Sequence, residues 1–254
     1  VGGNRLFRNR GDFRFEDVTE SAGVNDTNFW GTGATFVDID NDGDLDIYAC
    51  GYRTPNRLYV NQGVGTDGRV HFVEQAKLFG LDYQGASMMM AFADMDNDGD
   101  LDGYLATTAL PPPPGVRFRV AYEGNKPVIP KELQEYWSMM YLPGGRASPM
   151  EAGQFDHLYR NDGGRFTEVT QTAGIDEPCF TLGALWWDCD ADGWPDLYVA
   201  NDYFGPDMLY RNNHDGTFTN VIRAVVPHTP WSSMGLDIAD LNNKALAAVR
   251  TGSD

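Results

Sequence analysis

The chain has 254 residues, 42% hydrophobic and 13% aromatic, enough apolar material to bury a core and too much for a disordered polymer. Its 37 acidic residues outnumber 19 basic ones, and the formal net charge of -18 sets up a field that repels nucleic-acid phosphate and anionic membrane surfaces. Nucleic acid is therefore not an expected partner, no run approaches the roughly 18 apolar residues of a membrane span, and the three cysteines, an odd number, exclude a disulfide framework.

The amino end, Val1-Gly2-Gly3-Asn4-Arg5, lacks the apolar region of a signal peptide. Immediately after it a hairpin unit begins. Asn4-Arg5-Leu6-Phe7-Arg8-Asn9 leads through a glycine turn to Phe13-Arg14-Phe15-Glu16-Asp17-Val18-Thr19. The unit returns as Asn56-Arg57-Leu58-Tyr59-Val60-Asn61, as His157-Leu158-Tyr159-Arg160-Asn161 and as Met208-Leu209-Tyr210-Arg211-Asn212, each followed by a turn and a second run of β-favouring residues. Between hairpins lies another pair of expected strands: 33–37 with 45–49, 89–93 with 101–106, and 183–187 with 197–200. Four short antiparallel strands recurring about every 51 residues read as a propeller blade.

One interval is about twice as long, and the excess is an insertion at residues 107–154, placed between the second and third strands of a blade. Pro111 to Pro114 favour a stiff extended segment, and Leu133, Tyr136, Trp137, Met140 and Tyr141 fall at helical spacing, so an amphipathic helix is expected over 130–142. Residues 1–24 supply only the last two strands of a blade and 230–243 only the first, while 244–254 depart from the pattern. This phase would let the two ends join in one blade of a four-bladed ring, at the bottom of the usual range, and the favoured expectation is an all-β propeller over 1–243 that is part of a larger ring, of about seven blades.

Three loops join the first two strands of their blades and share Asp-x-Asp-x-Asp-Gly-x-x-Asp. They carry Asp38, Asp40, Asp42, Gly43 and Asp46; Asp94, Asp96, Asp98, Gly99 and Asp102; and Asp188, Asp190, Asp192, Gly193 and Asp196. Four carboxylates within nine residues repel one another unless a hard cation neutralises them, and calcium takes six to eight oxygens at about 2.3 to 2.6 Å. Positions one, three, five and nine supply side chains, and the glycine at six turns the chain so that the carbonyl of position seven, from Asp44, Asp100 or Trp194, faces the ion. Three calcium sites are expected. An EF-hand would need Glu at position twelve and flanking helices, but that position holds Ala49, Leu105 or Val199 between strands. Magnesium seldom uses four protein carboxylates, and a set of ordinary acidic turns would not repeat nine residues three times. A fourth copy starts at Asp240-Leu241-Asn242 but places Lys244 where a carboxylate belongs. Position two is Ile39, Met95 or Cys189, which predicts an apolar side chain tucked under each loop.

The asparate pattern followed by Asn-Arg-Leu-Tyr-x-Asn and Phe-x-Glu-Val-Thr resembles the FG-GAP or VCBS-type repeats of integrin α-subunit propellers. More closely, it is similar to the cartilage acidic protein and ASPIC/UnbV-like family. The resemblance implies a secreted or cell-surface propeller, extracellular or periplasmic, that serves protein or glycan binding or adhesion with calcium in its loops. A rival reading is a carbohydrate-active enzyme of lyase or dehydratase type, or a lectin, because such propellers exist and a fold does not fix function. Tyr136, Tyr141, Arg146 and Glu151 in the insertion are where a catalytic pocket would be sought, though no catalytic signature such as His-Glu-x-x-His or Gly-x-Ser-x-Gly occurs. Arg10-Gly11-Asp12 is read as the hairpin turn rather than an adhesion tripeptide, and Asn25-Asp26-Thr27 as a glycosylation sequon in a loop. Trp186 and Trp187 should face opposite sides of their strand.

Overall fold

The computed structural model describes residues 3–142, 144–175, 177–202, 205–230, 232–239 and 248–252. Its elements, in order, begin with β1 (Phe7–Asn9) and β2 (Phe15–Asp17), a two-stranded sheet. The first complete blade is β3 (Gly31–Val37), β4 (Asp46–Pro55), β5 (Arg57–Val64) and β6 (Val70–Glu74). The second opens with β7 (Gln84–Ala93) and β8 (Asp102–Thr107). The insertion then contributes β9 (Ala121–Glu123), β10 (Lys126–Val128), β11 (Trp137–Tyr141) and β12 (Ala147–Glu151). After β13 (Gln154–Phe155), the second blade is completed by β14 (His157–Asn161) and β15 (Phe166–Glu168). A short β16 (Pro178–Cys179) pairs with β13 and leads into the third blade: β17 (Thr181–Trp187), β18 (Asp196–Asn201), β19 (Met208–Asn212) and β20 (Phe218–Asn220). Last come β21 (Gly235–Ala239) and β22 (Ala248–Gly252), an antiparallel pair whose second strand falls within 244–254. The protein is thus an all-β propeller built of four-stranded antiparallel blades.

The second strand of each blade explains the stacking. β8 and β18 are buried along their whole length, as are the first six residues of β4. Successive side chains of a strand point to opposite faces, and here each face meets a different neighbour. Tyr48 and Cys50 enter one core shared by the first and second blades, with Leu58, Met90 and Leu105. Tyr104 crosses to a second core, shared by the second and third blades, with Leu158, Leu197, Val199 and Tyr210. Tyr198 and Ala200 point the other way, into a third cluster with Leu209 and Ile222. A strand buried on both faces needs apolar residues at odd and even positions alike, which is why 47–50 and 197–200 read as continuous hydrophobic runs.

The chain enters β4, β8 and β18 from the acidic loops and leaves them at the opposite end, where β8 passes into the insertion. The insertion therefore lies at the far end of its blade from the acidic loop. It does not contain the helix expected over 130–142: a 3-10 turn covers Lys131–Leu133, and β11 pairs with β12 from Trp137↔Glu151 to Tyr141↔Ala147. The helical spacing joined a short turn to a strand, and the competing partner lay downstream, across Gly144 and Gly145, whose φ of 85° and 78° reverses the chain. Trp137 and Tyr141 favour a strand once that partner exists.

Between β1 and β2 the sequence Arg10-Gly11-Asp12 is the turn, with Gly11 at φ 83° and the Arg10 guanidinium held by Glu16. Trp186 donates its indole NH to the Ala91 carbonyl at 3.1 Å and packs in the core between blades, whereas Trp187 lies on the other face against Tyr198. Asn25 and Thr27 are exposed.

Candidate metal centres

The three acidic loops occupy the same place, between β3 and β4, β7 and β8, and β17 and β18, and fold in the same way. The carboxylate at position one closes each loop. Asp38 accepts the amides of Asp42 and Gly43 at 3.1 and 3.0 Å, Asp94 those of Asp98 and Gly99 at 3.0 and 3.0 Å, and Asp188 those of Asp192 and Gly193 at 3.0 and 2.9 Å. Position five accepts the amide of position seven: Asp42 from Asp44, Asp98 from Asp100 and Asp192 from Trp194. Position four is left-handed in every loop, at φ 59° for Asn41 and Asn97 and 61° for Ala191. The glycine at six follows at φ 90°, 97° and 91°, with open space where a Cβ would stand, so its requirement is conformational rather than steric.

Position nine ties the loop to the blade. Asp46 is fully buried and receives the Ile39 amide at 3.0 Å and the Asn61 amide at 2.7 Å. Asp102 likewise receives Met95 and Asn161, and Asp196 receives Cys189 and Asn212. Each of these aspartates so links its loop to the third strand of the blade. Under the loop, Ile39 and Met95 are buried and Cys189 is half-buried against the cluster of Tyr198, Ala200, Leu209 and Ile222, its thiol pushed up to about 12 first by burial and then by Asp196.

Carboxylate oxygens of Asp38, Asp40 and Asp42 lie within 4.8 Å of one another, as do those of Asp94, Asp96 and Asp102, and those of Asp188, Asp190 and Asp196. Positions one and three thus converge in all three loops. Position five joins the tight set only in the first loop, and position nine only in the second and third. The side chain of Asp100 turns outward, towards the Gly163 amide at 3.1 Å.

The electrostatics carry the strain of this crowding. Burial and then the neighbouring aspartates raise the carboxyls of Asp40, Asp96 and Asp190 above the usual range. Burial raises Asp46, and Asp102 up to about 7. Asp192 moves the other way, lowered by the Trp194 amide first and also by His214, whose Nε2 lies 2.7 Å from it and whose ring stacks on Trp194. One further observation tests whether a cation fits. Oδ1 of Asp96 is buried with no hydrogen-bond partner, the only carboxylate oxygen so placed among the described residues. An oxygen that is dry and unpaired within an acidic cluster suits a metal contact better than solvent.

A family model described as an FG-GAP-like repeat matches residues 2–49, 38–105 and 188–243. The chain belongs to the FG-GAP-like repeat family. Its matches run through all three acidic loops and leave 106–187, which includes the insertion, outside. The chain is 37% identical to cartilage acidic protein 1 of Homo sapiens over 236 residues, 91% of this chain and 29% of that protein. It is 33% identical to the Mus musculus protein of that name over 235 residues, 91% and 30% of the two chains, and 32% identical to the Xenopus tropicalis one over 134 residues, 52% and 20%. The chain therefore spans less than a third of the length of these relatives.

Two features of these FG-GAP-like blades were not anticipated from sequence. One is the set of bonds between neighbouring loops described below. The other is a polar residue at the entrance to each third strand: Asn56, Asp156 and Asp207, all buried and each bonded to the tyrosine of the second strand. Its signal was present, since each precedes the repeated x-Leu-Tyr by one position.

Proposed function

We propose that the chain is a calcium-binding, extracellular propeller scaffold that presents loops for protein or glycan binding, with calcium structural rather than catalytic. The ligands are Asp38, Asp40, Asp42, the Asp44 carbonyl and Asp46; Asp94, Asp96, Asp98, the Asp100 carbonyl and Asp102; and Asp188, Asp190, Asp192, the Trp194 carbonyl and Asp196. The observation that carries this reading is the convergence of positions one and three in three loops of one design, with the dry Asp96 oxygen among them. Calcium supplies the positive charge and the oxygen-rich coordination that lets these carboxylates share a site. Calcium modules of the extracellular kind bind at about 0.1 to 1 mM, and an extracellular setting would keep sites of that strength filled. No helix among the described residues is long and apolar enough to cross a membrane.

Differential scanning calorimetry tests the metal. Chelator should lower the melting temperature by about 10 °C, calcium at about 5 mM should restore it, and magnesium should not. Identical melting with and without calcium would sink the reading. Glycan arrays run with an assay for unsaturated sugar products separate the scaffold from its rivals: product formation marks an enzyme, and capture without product marks a lectin.

A further inference from the structure

The three acidic loops are not independent of one another. The Asn41 side-chain amide, at position four of the first loop, donates to the Gly99 carbonyl at 3.1 Å and to the Asp100 carboxylate at 2.9 Å in the second. The Asn97 amide, at position four of the second loop, donates to the Gly193 carbonyl of the third at 3.3 Å. Asp100 is fixed from its other side by the Gly163 amide at 3.1 Å, so the acceptor of Asn41 is itself anchored to the second blade.

Asparagine at position four has an ordinary explanation, because it tolerates the left-handed backbone found there. Ala191 argues against that as the whole reason. It adopts φ 61° at the same position of the third loop, so the conformation does not require an amide. What Ala191 lacks is reach, and the third loop is the one whose successor in the sequence, Asp240-Leu241-Asn242-Asn243-Lys244, has lost its carboxylate set. The amide is present where the next loop is intact.

The receiving atoms belong to the part of the loop that would wrap an ion. Gly99 makes the turn and Asp100 offers the position-seven carbonyl, so an ion in the second loop fixes the groups that hold Asn41. Asn41 in turn stands between Asp40 and Asp42, two ligand positions of the first loop. Ordering either loop lowers the entropy lost in ordering the other, and such coupling is reciprocal.

We propose that Asn41 and Asn97 are positioning residues that couple the three loops, so that calcium in one loop raises the affinity of its neighbour. The proposal rests on the calcium reading above and deepens it. The link from the first loop to the second, with two bonds, is the stronger, and the link from the second to the third, with one, is the weaker.

Calcium titration calorimetry on the whole chain tests this with a cycle of variants. Asp190→Asn silences the third loop. In that background Asn41→Ala is expected to weaken the first loop's ion about 5-fold. With the second loop silenced too, by Asp98→Asn, the same Asn41→Ala should change that affinity by less than about 2-fold, because no second ion then stands behind the groups that hold the amide. Asn41→Gly, which keeps the left-handed backbone, should reproduce Asn41→Ala, and a single cooperative calcium-free melting transition within about 5 °C of that of the unaltered chain shows that each variant folds. An equal loss from Asn41→Ala in both backgrounds means a purely local role and overturns the coupling, as does no loss in either. Absence of any calcium heat in the unaltered chain brings down the calcium reading and the coupling together, whereas sites that fill independently bring down the coupling alone.

Discussion

Asp156 receives the Tyr104 hydroxyl at 2.6 Å from its own blade and the Thr181 hydroxyl at 2.5 Å from the next, so a single buried carboxylate stands at the junction of two blades. The Thr107 amide, also at 2.6 Å, holds its other oxygen. Asp207 repeats the arrangement one blade on, with Tyr198, the Asn201 amide and Ser233 as its donors. In the first blade Asn56 takes this place, accepting the Gly51 amide at 2.7 Å and donating to the Tyr48 hydroxyl at 2.8 Å.

Because Asn56 does the same work without a charge, Asp156→Asn should be tolerated and Asp156→Ala should not. Alanine leaves the Tyr104 hydroxyl and the Thr107 amide dry and unpaired, while the Thr181 hydroxyl keeps Asn201 Oδ1 at 3.0 Å, a loss of about 2 to 4 kcal/mol, and asparagine should cost about 1 kcal/mol. Urea unfolding of both variants at one calcium concentration reads the difference. Equal destabilisation would show that these hydrogen bonds do not hold the junction.

The pH dependence of the same pair has a defined sign. Burial raises the Asp156 carboxyl above the usual range, outweighing the four hydrogen bonds that act against it. A carboxyl with a higher pKa folded than unfolded binds its proton more tightly in the fold. Stability from this group is therefore gained as pH falls from the folded pKa towards the unfolded value near 3.9, and lost as pH rises. The unaltered chain should gain on Asp156→Asn as the pH is lowered from neutral towards the unfolded value, measured by urea midpoints. The opposite slope would mean that the hydrogen bonds dominate burial.

Within one loop, two aspartates should respond in opposite ways. Burial first, and then Asp42 and Asp38, raise the Asp40 carboxyl, so Asp40→Asn removes an unfavourable but solvent-screened charge and should leave calcium-free stability slightly higher while abolishing most of the calcium-dependent gain. Asp46 caps the buried amides of Ile39 and Asn61, and Asp46→Ala should cost about 2 to 4 kcal/mol in chelator and more in calcium, where a proposed ligand is lost as well. Melting curves in chelator and in calcium separate the two roles.

The insertion should be dispensable for the blades. The register of β8 on β14, from His157↔Leu105 to Tyr159↔Gly103, is set by the strands, and Thr107 already meets Asp156 across the gap. Replacing 110–152 with a short Gly/Ser turn should leave calcium binding intact and lower the melting temperature by less than about 5 °C, since loop closure depends weakly on length. Loss of calcium binding would show that the far end of the blade supports the loops.

Much of this was legible in the sequence because it is local. The Asp-x-Asp-x-Asp-Gly-x-x-Asp spacing specifies a loop by itself, and the doubly buried second strand announces itself as an apolar run at 47–50. The helix expected over 130–142 failed for the complementary reason: Trp137 and Tyr141 fit a helical stripe, but their partners Glu151 and Ala147 are set by a turn that spacing within the segment does not weigh. Bonds such as Asn41 to Gly99, spanning 58 residues, depend on how neighbouring blades stand, and only the assembled sheets bring the two loops together.

Two glycines of one hairpin show how differently the same residue type can be required. Gly43 sits at φ 90° with nothing near its missing Cβ, so Gly43→Ala should cost about 1 to 2 kcal/mol through backbone strain alone. Gly33, in β3, has ordinary backbone, but a Cβ there would stand 2.3 Å from the Met88 carbonyl oxygen of the next blade. Relief requires two blades to separate, and the shared core is too closely packed to follow, so Gly33→Ala should cost about 3 kcal/mol or more. Saturating calcium should recover part of the Gly43→Ala loss, because the ion stabilises the strained loop, and should recover none beyond the normal calcium increment for Gly33→Ala. Matched urea titrations of the two variants with and without calcium give that contrast directly, and an equal recovery in both would show that the closeness of β3 to β7 is not what fixes Gly33.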